Sequence, residues 1–141
     1  MMITEPVTEA INLPSGDYYI GDPCYVLSNE DYKEMLTQAY GNKFEKETHF
    51  ATIRGHKLFV SGTSYGDGIF DDDMGNAYMV DSGQLSCVPM ELVEDVNEAA
   101  RCGTLNDFVE DFDCHPVSEN GFIDIGECEI FTGLYDDEEG E

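Results

Sequence analysis

Apolar residues recur at helical spacing in only two stretches of the chain, and elsewhere they alternate with polar ones over short runs. Over 28–40, Tyr32, Met35, Leu36 and Ala39 share one face, Ser28 stands as N-cap with Asp31 three residues on, and Gly41 supplies a stop. Over 89–102, Pro89 occupies a first helical position. Leu92, Val93, Val96, Ala99 and Ala100 then face inward and Glu91, Glu94, Asp95 and Glu98 outward, until Gly103 ends the run. Residues 17–27 form two aromatic-rich extended pieces broken at Gly21, Asp22 and Pro23, a bend or an edge because proline denies a donor to the ladder. Segments 49–53 and 57–62 flank an Arg54-Gly55-His56 turn, and 69–71 and 77–80 flank another. The turn Asp81-Ser82-Gly83 leads into a strand over 84–88.

Beyond Gly103, Thr104 caps a short further turn through Phe108. A last β pair falls at 109–113 or within 122–131, where Phe122, Ile123, Ile125, Cys128 and Ile130 alternate imperfectly and leave the register open. The pattern predicts an α+β fold, mainly antiparallel sheet and hairpins with two short amphipathic helices at 28–40 and 89–102. It places a single domain over 1–133 and an acidic flexible tail over 134–141.

Composition supports a folded domain. A chain of 141 residues buries roughly 68% of its unfolded surface, and eight Phe and eight Tyr supply large core side chains. The start MMITEPVTEAINLP lacks a basic n-region and a long apolar run, which predicts no secretory signal, and no apolar stretch is long enough to span a bilayer. Five cysteines (Cys24, Cys87, Cys102, Cys114, Cys128) show no CxxC spacing and read as reduced core thiols in a cytoplasm.

Charge changes the picture most. Asp and Glu number 31 against six Lys and Arg, for a net charge of −25, and residues 62–141 hold 22 of the acids with Arg101 as their one base. Such a surface repels nucleic acid and anionic lipid and attracts basic proteins or cations over about 8 Å at physiological salt.

Two motifs stand out, SGDYYIGDPCYVL at 15–27 and SGTSYGDGIF at 61–70, the second followed by YMVDSGQLSCVP at 78–89. Together they resemble a set of small phage and bacterial proteins, with no assigned activity, that share SG…DPCY, GDG-aromatic and VDSG segments. The resemblance implies a compact β-rich domain and a phage origin, and no mechanism. Read from the residues, Asp22 and Asp67 staple turns whose glycines permit positive φ. The functional alternative is a β-rich domain that binds or processes a small molecule in a pocket formed by Asp22, Cys24, Tyr25, Tyr65, Asp67 and Asp81.

Catalytic and metal signatures are missing from the sequence. No Walker loop, GxSxG or HExxH occurs, Cys114, His115 and Cys128 lack zinc-knuckle spacing, and the run Asp71, Asp72, Asp73 does not follow the EF-hand order. The three consecutive acids are expected to diverge into solvent at a hairpin tip, with no metal and no cofactor held. The functional expectation is a non-enzymatic acidic protein that imitates nucleic-acid charge to bind and inhibit a basic, nucleic-acid-binding host protein, with no direct contact to nucleic acid or membrane. Its expected binding face comprises Asp71, Asp72, Asp73, Glu91, Glu94, Asp95, Glu98, Glu110, Asp111 and Asp113.

Overall fold

The computed structural model describes residues 10–41, 43, 47–64 and 66–133, so the predicted tail over 134–141 lies outside the described residues. In chain order the elements are β1 (Ile11–Leu13), β2 (Gly16–Gly21), α1 (Asn29–Tyr40), β3 (Phe50–Ile53), β4 (His56–Gly62), β5 (Gly68–Asp72), β6 (Ala77–Val80) and β7 (Gln84–Pro89). There follow α2 (Val96–Cys102), β8 (Thr104–Phe108), β9 (Phe112–His115), β10 (Phe122–Ile125) and β11 (Cys128–Phe131). The mainly antiparallel α+β architecture expected from the pattern is present, weighted further toward β.

The strands form two antiparallel sheets, one ordered β1-β9-β10-β11-β5-β6 and the other β3-β4-β7-β2-β8. Period-two alternation gives each sheet an inner face. Tyr18, Ile20, Phe59, Leu85 and Cys87 of the five-stranded sheet meet Leu13, Phe70, Tyr78, Cys114, Ile123, Ile125 and Ile130 of the six-stranded one. The other face of the five-stranded sheet is also apolar, with Tyr19, Ala51, Ile53, Leu58, Val60 and Val88 covered by Met35 and Ala39 of α1, by Leu92 and by Ala99 of α2. The layers therefore run six-stranded sheet, five-stranded sheet, helices.

Local chemistry explains where elements start and stop. The Ser28 hydroxyl accepts from the Asp31 amide at 3.1 Å to open α1, and Gly41 at φ 83° ends it. Arg54 and Gly55, at φ 49° and 83°, make the two-residue turn between β3 and β4, with both central residues in the left-handed region that matches strand twist.

Three readings are corrected. The second helix begins at Val96, not at Pro89: Pro89 pairs with Tyr18 at the end of β7, Met90–Leu92 form one 3₁₀ turn that drives Leu92 into the core, and Val93 is extended. Asp95 is the cap that starts α2, through a 3.1 Å bond from the Glu98 amide, so Val96 is exposed rather than inward. The second piece of 17–27 is also a 3₁₀ turn, Pro23–Tyr25, because Pro23 presets φ and Asp22 caps it. Residues 104–108 are strand rather than turn, recruited by β2 through pairs such as Ile20 with Thr104 and Tyr18 with Asn106.

Gly103, between α2 and β8, is fixed by close approach. A Cβ there would run into the carbonyl oxygen of Ile20 and come within 2.9 Å of the Tyr19 ring. That oxygen belongs to a central strand and has nowhere to retreat. Gly103→Ala is therefore expected to cost about 2 kcal/mol, read as a lowered urea midpoint; an unchanged midpoint would refute the close packing.

Candidate functional site: the open face of the six-stranded sheet

The six-stranded sheet turns Cys114, Ile123, Ile125, Cys128, Ile130, Phe70 and Asp72 inward, so the alternate residues Asp113, His115, Phe122, Asp124, Glu129, Phe131, Ile69 and Asp71 face away from the core. Among the described residues the helices bury their apolar side chains against the other sheet, and Ile69 on this face is 68% exposed. Backbone pairing fixes the lattice: Phe122 lies opposite Phe131, Asp124 opposite both His115 and Glu129, and Phe131 opposite Asp71. Neighbouring strands lie about 4.8 Å apart and same-face residues about 7 Å apart along a strand. Carboxylates and aromatic rings thus stand side by side at near-atomic spacing, and no Lys or Arg occurs on any strand of this sheet.

A concavity of about 330 Å³ opens where Asp71, Asp72, Asp73, Glu129, Phe122 and Phe131 meet. Its rings are 5.0 Å apart between centroids and inclined by 51°. A second concavity, of about 280 Å³, lies beyond Phe122 and is bordered by His115, Pro116, Val117, Ser118 and Asp124. Asp124 Oδ1 is shut off from solvent and has no hydrogen-bond partner among the described residues.

The run Asp71, Asp72, Asp73 does not diverge into solvent as expected. Asp71 and Asp73 are exposed, but Asp72 alternates inward and is buried. Its carboxylate accepts from the amides of Met74 and Asn76 at 2.8 and 2.9 Å, from Asn76 Nδ2 at 3.1 Å and from the Tyr78 hydroxyl at 2.7 Å. Burial alone would raise its pKa, yet these donors, led by Tyr78, outweigh it and hold the carboxyl down at about 2. Asp72 thus shapes the loop, its carboxylate already taken by these donors. Asp73 Oδ1 accepts from the Glu129 amide at 3.3 Å, pinning the end of β5 to β11.

The remaining acids of the expected face do not gather on one surface. Glu91, Glu94, Asp95 and Glu98 belong to the helical layer, whose Leu92 and Ala99 pack beyond the five-stranded sheet. Asp95 is occupied as a cap and Glu98 by Arg101 at 2.7 Å. Glu110 and Asp111 lie between β8 and β9, where Asp111 accepts from the Ser15 amide at 3.0 Å. Only Asp71, Asp73 and Asp113 belong to the open sheet face. Sequence reasoning missed Asp124, Glu129, Phe122 and Phe131. The signal was present, since alternation on each side of Gly126-Glu127 is strict once that pair is taken as a hairpin turn, with Ile125 opposite Cys128.

The alternative pocket fares differently. Asp22 is fully buried, and both its oxygens are taken: Oδ1 by the Cys24 amide and the Ser82 hydroxyl, each at 2.8 Å, and Oδ2 by the amides of Asp81 and Ser82 at 2.6 and 2.7 Å. It clasps the Pro23–Tyr25 turn to the turn at 81–83. Burial and then the Asp22 carboxylate push the half-buried Cys24 thiol up to about 12, which keeps it a protonated, weakly nucleophilic thiol at neutral pH. Asp67 is exposed and makes no hydrogen bond to a described residue, so it is no staple, and Tyr65 lies outside the described residues.

Excess charge leaves a mark elsewhere. Asp17 and Asp107 are directly paired across β2 and β8, and Asp17 is shifted up, chiefly by its hydrogen bond to Asp107 and by the repulsion between them. Asp107→Asn is expected to raise the thermal midpoint, and the gain should vanish in about 1 M NaCl, where the screening length is about 3 Å. A gain that survives salt would show that the pair is not electrostatically strained.

Among the described residues no group of three His, Cys, Asp or Glu side chains could hold a metal ion, and no helix is long and apolar enough to cross a membrane. No family model, no curated protein and no solved structure matches the chain.

Proposed function

We propose that this chain is a non-enzymatic interaction protein whose carboxylates imitate nucleic-acid charge and occupy the nucleic-acid-binding surface of a basic protein, a host protein if the chain is phage-encoded. The observation that carries this reading is the open face of the six-stranded sheet. Asp71, Asp113, Asp124 and Glu129 stand there on neighbouring strands, Asp73 joins them at the loop, and no strand of that sheet bears a Lys or Arg. The described cations with known contacts are placed elsewhere: Arg54 pairs with Asp31 at 2.8 Å, Arg101 with Glu98, and Lys57 lies over the Phe50 ring.

Complementary potentials speed encounter with a basic groove and exclude acidic competitors. Basic bacterial proteins should therefore be retained on the immobilised chain at low salt, released steeply as salt rises, and displaced by added duplex DNA. Direct binding of duplex DNA by the chain, or retention that duplex DNA leaves intact, would sink the reading.

A further inference from the structure

The concavity at Phe122 and Phe131 has a chemistry that charge alone does not explain. A surface built only to imitate nucleic-acid charge would be hydrated carboxylate throughout, yet here two half-buried rings, held opposite each other by the β10–β11 ladder, are bordered by Asp71, Asp73 and Glu129. At about 330 Å³ the space is at the small end of ligand sites, the scale of one long side chain. Ile69 continues the apolar strip along β5.

Aromatic faces beside carboxylates select a cation that is flat, weakly hydrated and forked. A guanidinium lies over a ring and gives its edge N–H groups to neighbouring carboxylates, while its aliphatic stem covers apolar surface. An ammonium is a more strongly hydrated point charge and gains less from the rings. We infer that this concavity receives an arginine side chain of the basic partner, and that the carboxylates of the open face hold that partner's adjoining cations. The inference rests on the preceding reading that the partner is basic, and it adds which residue anchors it.

The probe is an acetylated hexa-arginine peptide, compared with hexa-lysine, titrated into the intact chain at about 0.15 M NaCl and followed through backbone amide spectra. Hexa-arginine should saturate and move the amides of Phe122, Glu129 and Phe131, with hexa-lysine roughly tenfold weaker. Asp71→Asn with Glu129→Gln, both at exposed positions, should weaken hexa-arginine roughly tenfold, as should Phe131→Leu. Removing the same charge elsewhere, through Glu91→Gln with Glu94→Gln, should leave the affinity unchanged. Equal losses for the two charge-matched pairs, equal affinity for the two peptides, or displacement of hexa-arginine by choline would each overturn the assignment. Should the peptide behave as expected while duplex DNA fails to displace retained proteins, mimicry falls and the arginine site stands. DNA-reversible retention with equal losses for the two pairs refutes the site alone.

Discussion

Replacing Asp22 with Ala should cost about 3 kcal/mol, because the partly buried donors of Cys24, Asp81 and Ser82 would together lose a fully buried acceptor. Asp22→Asn keeps the volume but turns an NH₂ toward other donors, so it should lose most of the same stability. Asp67→Ala, on an exposed turn, should change stability by less than about 0.5 kcal/mol. Urea unfolding of the three variants decides the matter. Comparable effects at the two positions, or a tolerant Asp22, would mean that the clasp does not hold the turns together, and the ligand-pocket reading of the DPCY segment would regain its ground.

The second large effect is with pH. Asp72 has its carboxyl held near 2 in the folded chain against an ordinary 3.8, so the unfolded chain binds the proton more readily between those values. The sign follows: its contribution is complete above the unfolded value, erodes as pH falls from about 4 toward 2, and is gone below that. Relief of like-charge repulsion among the other acids acts in the opposite direction over an overlapping range. The informative quantity is therefore the difference between the parent chain and Asp72→Asn. That difference should be about 2 kcal/mol at neutral pH and should close on acidification to about pH 2. A difference independent of pH would mean that shape, not ionisation, is what the loop requires.

Local features of this fold could be read from the chain because their causes are local. The Ser28 cap, the Gly41 stop and the turn after β3 each depend on neighbours within a few residues, and each occurs where the pattern puts it, except that His56 belongs to β4 and leaves Arg54-Gly55 as the turn. What could not be read is which sheet a strand joins. The turn at 81–83 resembles a hairpin, yet it carries the chain from the edge of one sheet to the middle of the other, where β7 lies between β4 and β2. Thr104 after Gly103 looks like a new cap, and only a partner strand some 85 residues earlier makes it extended. The candidate site suffered in the same way. Asp71 and Asp73 were visible as acids, but their neighbours Glu129 and Phe131 arrive through the pairing of β5 with β11, which no local pattern specifies. Alternation along β5 separates Asp72 from Asp71 and Asp73, because the strand continues through Asp72 rather than ending in a tip.

The pairing of β1 with β9 and of β2 with both β7 and β8 has a consequence for biosynthesis. Ile11 finds Cys114 only after the intervening chain has been made, and Tyr19 waits for Val88 and then Leu105. At a synthesis rate of about 5 to 20 residues per second, the apolar N-terminal strands stay without partners for several seconds. Closure of such distant pairs then takes on the order of milliseconds to seconds. During that interval mutual repulsion between neighbouring nascent chains opposes their strands joining, so the charge serves the chain before it has a surface to offer.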